Sequence, residues 1–119
     1  MAERPFSRAL ADAADGVATT VREQRNIRIQ VALGALAVIA AAIVRFDAIH
    51  WAVLALTIGA VLAAELFNTA LERAVDCAST VESPLARSAK HAAAGAVLLA
   101  CVTALAVGFA LFASVLWHR

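Results

Sequence analysis

The sequence predicts an all-α integral membrane protein with three transmembrane helices and an N-terminal amphipathic interfacial helix. Hydrophobic residues make up 63% of its 119 positions, and the mean hydropathy is +0.83. Apolar runs recur at lengths near the ~20 residues that a bilayer-crossing helix requires. With no Tyr, five Gly and two Pro, the chain lacks the turn vocabulary of an all-β protein. Its net charge of +1 carries no nucleic-acid footprint, since the Arg residues gather in the N-terminal segment rather than along a groove.

From the N-terminus, Phe6, Leu10, Ala13, Ala14, Val17 and Val21 alternate with Arg8, Asp12, Asp15 and Arg22. That spacing suits a helix entered after Pro5 and lying in the membrane interface. The whole chain, 1–119, reads as one membrane domain, with 1–26 as the interfacial helix. The first span covers 27–44, and Arg45-Phe46-Asp47 makes a short turn. The second span covers 48–68, and the third, 92–117, runs without a charge. Between the last two, residues 73–91 with Ser79, Thr80, Ser83 and Pro84 read as the one sizeable polar loop. The two cysteines, Cys77 in that loop and Cys101 deep in the last span, lie at depths too different for a disulfide and read as thiols. No signal peptide is expected, because a charged segment precedes the first apolar run.

Lys and Arg in short loops set the orientation. Arg4, Arg8, Arg22, Arg25 and Arg28 precede the first span, and Arg73, Arg87 and Lys90 lie in the 73–91 loop. The first turn has only Arg45 and the C-terminus only Arg119. Both basic segments are therefore expected in the cytoplasm, with Trp51 and Trp117 as anchors on the outer side.

One helical stretch departs from the apolar pattern. At about 100° per residue, Glu65, Asn68, Thr69, Glu72 and Asp76 share one side of a helix, and the stripe starts inside the second span. Glu72 and Asp76 are open to a plain reading, solvating the end of that span with Arg73 as partner. Glu65 is not: it lies about 11 Å deeper than Glu72 at ~1.5 Å per residue, after the apolar Val61-Leu62-Ala63-Ala64. A carboxylate there must be protonated, paired or used. Three spans of one chain are expected to shield it poorly, so that a neighbouring subunit would complete the site. No G-x-x-x-x-G-K-[ST] or G-x-G-x-x-G word occurs, so a nucleotide site here is of neither type.

The words Ala64-Glu65-Leu66-Phe67-Asn68-Thr69-Ala70-Leu71-Glu72-Arg73-Ala74-Val75-Asp76, Pro84-Leu85-Ala86-Arg87-Ser88-Ala89-Lys90 and Ala92-Ala93-Ala94-Gly95-Ala96-Val97-Leu98-Leu99, with Gly16 and Asn26-Ile27-Arg28-Ile29 upstream, resemble the small prokaryotic lipid kinases, diacylglycerol kinase and undecaprenol kinase. The resemblance spans nearly the whole chain. It implies a homotrimeric, ATP-dependent lipid kinase of the bacterial cytoplasmic (inner) membrane, multi-pass with a cytoplasmic N-terminus. Such an enzyme transfers the γ-phosphate of ATP to diacylglycerol or undecaprenol, with Mg²⁺ as cofactor. By the same resemblance Glu65 is the general base and Glu72 a metal ligand, while Lys90, His91, Asp76 and Glu82 lie on the nucleotide side and Asn68, Glu23 and Arg28 support the site. These types suit phosphoryl transfer, which is mostly positioning and charge neutralisation.

Three positions depart from the family's pattern. Gln24 stands where a second metal-binding glutamate is usual, with Glu23 beside it. His91 stands where aspartate usually follows the lysine, though a His at the start of a membrane helix also reads as an interfacial residue. Val81-Glu82-Ser83 replaces Glu-Tyr-His before Pro84-Leu85. A non-catalytic or donor-altered homologue is therefore the alternative function. A small transporter is a third reading, and it gains little from Lys90 and the polar loop.

Overall fold

The computed structural model describes residues 3–119; the first two positions of the expected interfacial segment 1–26 lie outside the described residues. Four helices follow one another: α1 (Phe6–Glu23), α2 (Arg25–Ile43), α3 (Ala48–Ala78) and α4 (Pro84–Trp117). The last three are long and apolar enough to cross a membrane. The protein is an all-α membrane protein. Large apolar side chains such as Leu56, Phe67, Leu105 and Phe109 are more than 70% exposed on the single chain, as lipid-facing surfaces are.

The break between α1 and α2 is one residue long. Gln24 adopts an extended conformation, closing α1 and opening α2, so the expected continuous helix to residue 26 ends three residues early. Arg28 stabilises the break, its guanidinium donating to the carbonyls of Val21 (3.3 Å) and Arg22 (2.6 Å). These are orphan acceptors of the last turn of α1, which a cation at a helix C-terminus suits. Phe6, Leu10 and Val17 remain exposed along α1, an apolar face of the kind that lies on a membrane surface.

The α2–α3 turn is a Schellman closure. Arg45 takes a left-handed φ of 60°, the Phe46 N–H donates to the Ala41 carbonyl (3.0 Å) and the Arg45 N–H to that of Ala42 (3.3 Å). The hydrophobic contact that accompanies this motif is made by Phe46 and Ala41, both buried with Leu54 in the core at this end of the bundle. Phe46 stacks edge-on to Trp51 (5.9 Å) and lies 4.8 Å from Phe112 of α4. Trp51 is thus packed into the core cluster, whereas Trp117 is exposed as an interfacial anchor would be. Asp47 caps α3 by accepting from the His50 N–H at 2.8 Å, and this bond holds its carboxyl below the usual range. The His50 ring joins this end to α4, its Nδ1 lying 2.8 Å from Asp47 Oδ1 and its Nε2 2.8 Å from Ser114 Oγ. Further along, α2 and α3 approach closely at Gly34, where a Cβ would sit 3.2 Å from the Ile58 side chain.

The expected polar loop 73–91 is mostly helical. Helix α3 continues to Ala78 and α4 begins at Pro84, leaving only residues 79–83 as the connection. Ser83 explains the early start: its hydroxyl accepts from the Ala86 N–H (3.1 Å) and Pro84 occupies the first helical position, where no N–H is needed. The 31 residues of α3 span about 46 Å at ~1.5 Å each, against a hydrocarbon core of ~30 Å. Its polar last turns therefore rise out of the bilayer, facing the polar first turns of α4.

Candidate active site

The stripe on α3 is a continuous surface, graded in depth. Glu65 and Thr69 are buried, 5% and 6% exposed, while Glu72 is half-buried and Asp76 exposed. Glu65 is buried by its own chain, contrary to the expectation that three spans would shield it poorly. Helix α2 packs against α3, with its Ile27 only 2% exposed, and one turn on the Gln30 amide donates from Nε2 to Cys101 Sγ of α4 at 3.2 Å.

One turn above Glu65, the Asn68 amide donates to Glu72 Oε1 at 3.4 Å. Its oxygen, Oδ1, is buried without a hydrogen-bond partner. A buried acceptor left unpaired costs stability, and beside a carboxylate it is a ready ligand for a hard cation or a hydroxyl donor. Among the described residues there is no group of three His, Cys, Asp or Glu side chains able to hold a metal ion. One carboxylate and one amide oxygen do fit Mg²⁺, which keeps several waters and takes phosphate oxygens from its substrate.

Ion pairs frame the outer end. Lys90 Nζ lies 2.6 Å from Asp76 Oδ1, joining α4 to α3. That hydrogen bond is the main reason the ammonium is held above the usual lysine range, the charges of Asp76, Glu82 and Glu72 adding to it against some desolvation. Arg87 and Glu82 pair at 3.5 Å. Together these four residues, with Ser79 and Thr80, line a polar cavity of about 260 Å³ at the α3–α4 corner. Arg73 Nη2 meets Glu23 Oε2 at 2.6 Å, which ties the end of α1, next to the Gln24 break, to α3.

The structure thus gathers Glu65, Asn68, Glu72, Asp76, Lys90 and Glu82 along one face of the α3–α4 corner. Glu23 is engaged by Arg73, and Arg28 serves the α1 terminus rather than the stripe. His91 is exposed. Gln30 was not anticipated as a site residue. The available signal was a polar amide one turn inside an apolar span. It also lines, with Val61, Cys101 and Phe112, an apolar groove of about 360 Å³ between α2, α3 and α4.

Comparison with known proteins places the chain among lipid kinases. The family described as prokaryotic diacylglycerol kinase matches residues 11–112. An undecaprenol kinase of Bacillus subtilis (strain 168) is 35% identical over 107 residues, covering 90% of this chain and 87% of its own length. A diacylglycerol kinase of Synechocystis sp. (strain ATCC 27184 / PCC 6803 / Kazusa) is 46% identical over 94 residues, 78% of this chain and 54% of that protein, so the match spans about half of the latter.

Proposed function

Because the chain belongs to the prokaryotic diacylglycerol kinase family, we propose that it moves the γ-phosphate of ATP to a membrane lipid alcohol, with the α3 stripe as its active site. It is a lipid kinase of the diacylglycerol or undecaprenol kinase type. The observation that carries the assignment of the site is the graded stripe, with a buried carboxyl at Glu65 and, one and two turns nearer the polar end, the unpaired Asn68 oxygen and Glu72.

In this reading the lipid hydroxyl reaches Glu65 from the membrane while the nucleotide enters at the α3–α4 corner. Glu65 takes the hydroxyl proton as the alcohol oxygen bonds to the γ-phosphorus. The bond from that phosphorus to the bridging β,γ-oxygen breaks, and ADP leaves with the bond's electrons. Glu72 and Asn68 Oδ1 would hold Mg²⁺, which neutralises phosphate charge when bound. Lys90 exchanges its Asp76 contact for phosphate oxygens, with Glu82 and His91 at the rim of the nucleotide side. The apolar groove below Gln30 suits a lipid tail, being lined by side chains such as Leu33, Ile58 and Leu105.

The Arg-rich segments support a cytoplasmic N-terminus in the bacterial inner membrane, and the family resemblance supports a homotrimer. A donor-altered homologue is the second reading, favoured by the neutral Gln24 where the family usually has a glutamate. Purified protein in lipid bilayers, given radiolabelled ATP and Mg²⁺ with diacylglycerol or undecaprenol, is expected to label one or both lipids. Absence of transfer to either, with labelling restored by another nucleotide, would favour the altered donor. Absence with every donor would remove the kinase reading of the site.

A further inference from the structure

Two cations stand one turn apart on α4, and the protein holds them differently. Arg87 and Lys90 are three residues apart, hence neighbours on one face of the helix, and both line the polar cavity of about 260 Å³ at the α3–α4 corner. Lys90 is fastened by a 2.6 Å hydrogen bond to Asp76 of α3. Arg87 faces Glu82 at 3.5 Å, Nε to Oε1, too long for a charge-assisted hydrogen bond. The two carboxylates differ in freedom as well. Asp76 is set on helix α3, whereas Glu82 belongs to the connection between α3 and α4, and its side chain is 67% exposed. A solvated pair of this kind is worth little net, so Glu82 can turn into water at small cost. It would uncover a guanidinium whose planar fork matches phosphate oxygens in pairs. Charge balance requires such a movement. The two cations and two carboxylates of the cavity cancel, and a polyphosphate brought there adds negative charge beside both carboxylates, which repel it.

We propose that Arg87 is a second phosphate-binding cation of the nucleotide site, and that Glu82 is its resting counter-ion, a competitor of the phosphate rather than a ligand of the nucleotide. This rests on the reading that the nucleotide enters at the α3–α4 corner. On binding, Glu82 leaves for solvent and the guanidinium takes polyphosphate oxygens beside Lys90, with no covalent step. The consequence is one of sign. Arg87 and Glu82, although paired, act oppositely on affinity: the cation raises it, and the carboxylate lowers it by occupying the cation.

The test measures Kd for Mg-ATP, and for inorganic tripolyphosphate with Mg²⁺, by calorimetry on full-length protein in bilayers. Wild type is compared with Arg87→Met, Arg87→Lys, Glu82→Gln and the double variant Arg87→Met with Glu82→Gln. Arg87→Met is expected to weaken both ligands about 5- to 20-fold and Arg87→Lys less, since a point charge keeps the attraction and loses the fork. Glu82→Gln is expected to tighten both, and to lose most of that effect once position 87 is Met, because the carboxylate acts through the guanidinium. Both side chains are exposed, so the variants are expected to unfold at the wild-type temperature, which separates loss of affinity from loss of fold. Unchanged affinity in Arg87→Met would overturn the inference and leave the kinase reading in place. Weaker binding in Glu82→Gln would make Glu82 a ligand and overturn the exchange. If wild type binds tripolyphosphate through Arg87 but transfers no phosphate to lipid, the inference stands and the kinase reading fails. If wild type binds neither polyphosphate, Arg87 is no phosphate ligand and the inference is overturned.

Discussion

Lys90 and Asp76, fourteen residues apart, form a 2.6 Å ion pair across the α3–α4 corner, so the cation nearest the stripe is already partnered before any phosphate arrives. A phosphate must displace a carboxylate that is 66% exposed on its side chain. Exposed pairs are worth little net, so the exchange is cheap and leaves a pre-oriented ammonium. Lys90→Met is expected to lower kcat/KM for ATP at least about 10-fold at saturating lipid, a loss of ~1.4 kcal/mol in transition-state stabilisation. An unchanged value would remove Lys90 from the nucleotide side.

The pH response of that pair has a definite sign. Lys90 is held above the ordinary value of 10.5, so its tie to Asp76 is complete below that value. It is lost only as pH rises through the raised one. Across pH 6–9 the Nζ signal of ¹⁵N-labelled lysine in the protein is therefore expected to stay that of an ammonium. Deprotonation within that window would contradict the pairing.

For the base, Glu65→Gln is expected to lower turnover about 10²- to 10⁴-fold while Mg-ATP binding, measured by calorimetry, is nearly unchanged. Thermal unfolding should also change little, because the amide has the shape of the carboxyl it replaces and carries no charge into the buried position. Wild-type turnover in this variant would assign the proton to another acceptor.

Much of this site was legible in the chain because it interrupts a strong pattern. Glu65, Asn68, Glu72 and Asp76 share one helical face by spacing alone, and the structure keeps them on one. What was not legible depends on contacts between helices. Gln24 is not a helix breaker, and the one-residue break it makes is stabilised by Arg28 from the next helix, a partnership no local rule encodes. Ser83-Pro84 did carry a start signal, a capping hydroxyl followed by Pro at the first helical position. The polar residues from 85 to 91 masked it. Gln30 acquires meaning only when α2 and α3 pair and α4 brings Cys101 beside it.

The Schellman turn offers a test of fold rather than function. Arg45 holds a φ of 60°, where a side chain costs about 1 kcal/mol or more relative to Gly. Its guanidinium has no hydrogen bond or ion pair among the described contacts. Arg45→Gly is thus expected to raise unfolding stability by up to about 1 kcal/mol in detergent denaturation, offset in part by the greater entropy of Gly in the unfolded chain. A loss of stability would show that the Arg45 side chain contributes at this end of the bundle.

The last prediction concerns the metal and the departure at Gln24. Glu72 and the unpaired Asn68 oxygen offer a divalent cation one charged and one neutral ligand. The Glu23–Arg73 pair brings the α1–α2 break to the same end of α3, and Gln24 sits in that break with an extended backbone. A carboxylate at position 24 would add a second negative ligand for a hard cation without altering the break, since a capping position tolerates Glu and Arg28 satisfies the carbonyls behind it. Gln24→Glu is therefore expected to tighten Mg-ATP binding and to lower the Mg²⁺ concentration needed for half-maximal transfer, by several-fold in each case. Glu72→Ala should weaken both by 10-fold or more, because it removes the charged ligand and leaves Asn68 unsupported. Calorimetric titration with Mg-ATP, repeated with ATP and excess chelator, separates cation-dependent binding from phosphate contacts with Lys90. Equal Mg²⁺ dependence in wild type and Glu72→Ala would place the cation away from the stripe, and the Asn68 oxygen would then need another donor, such as the substrate hydroxyl itself.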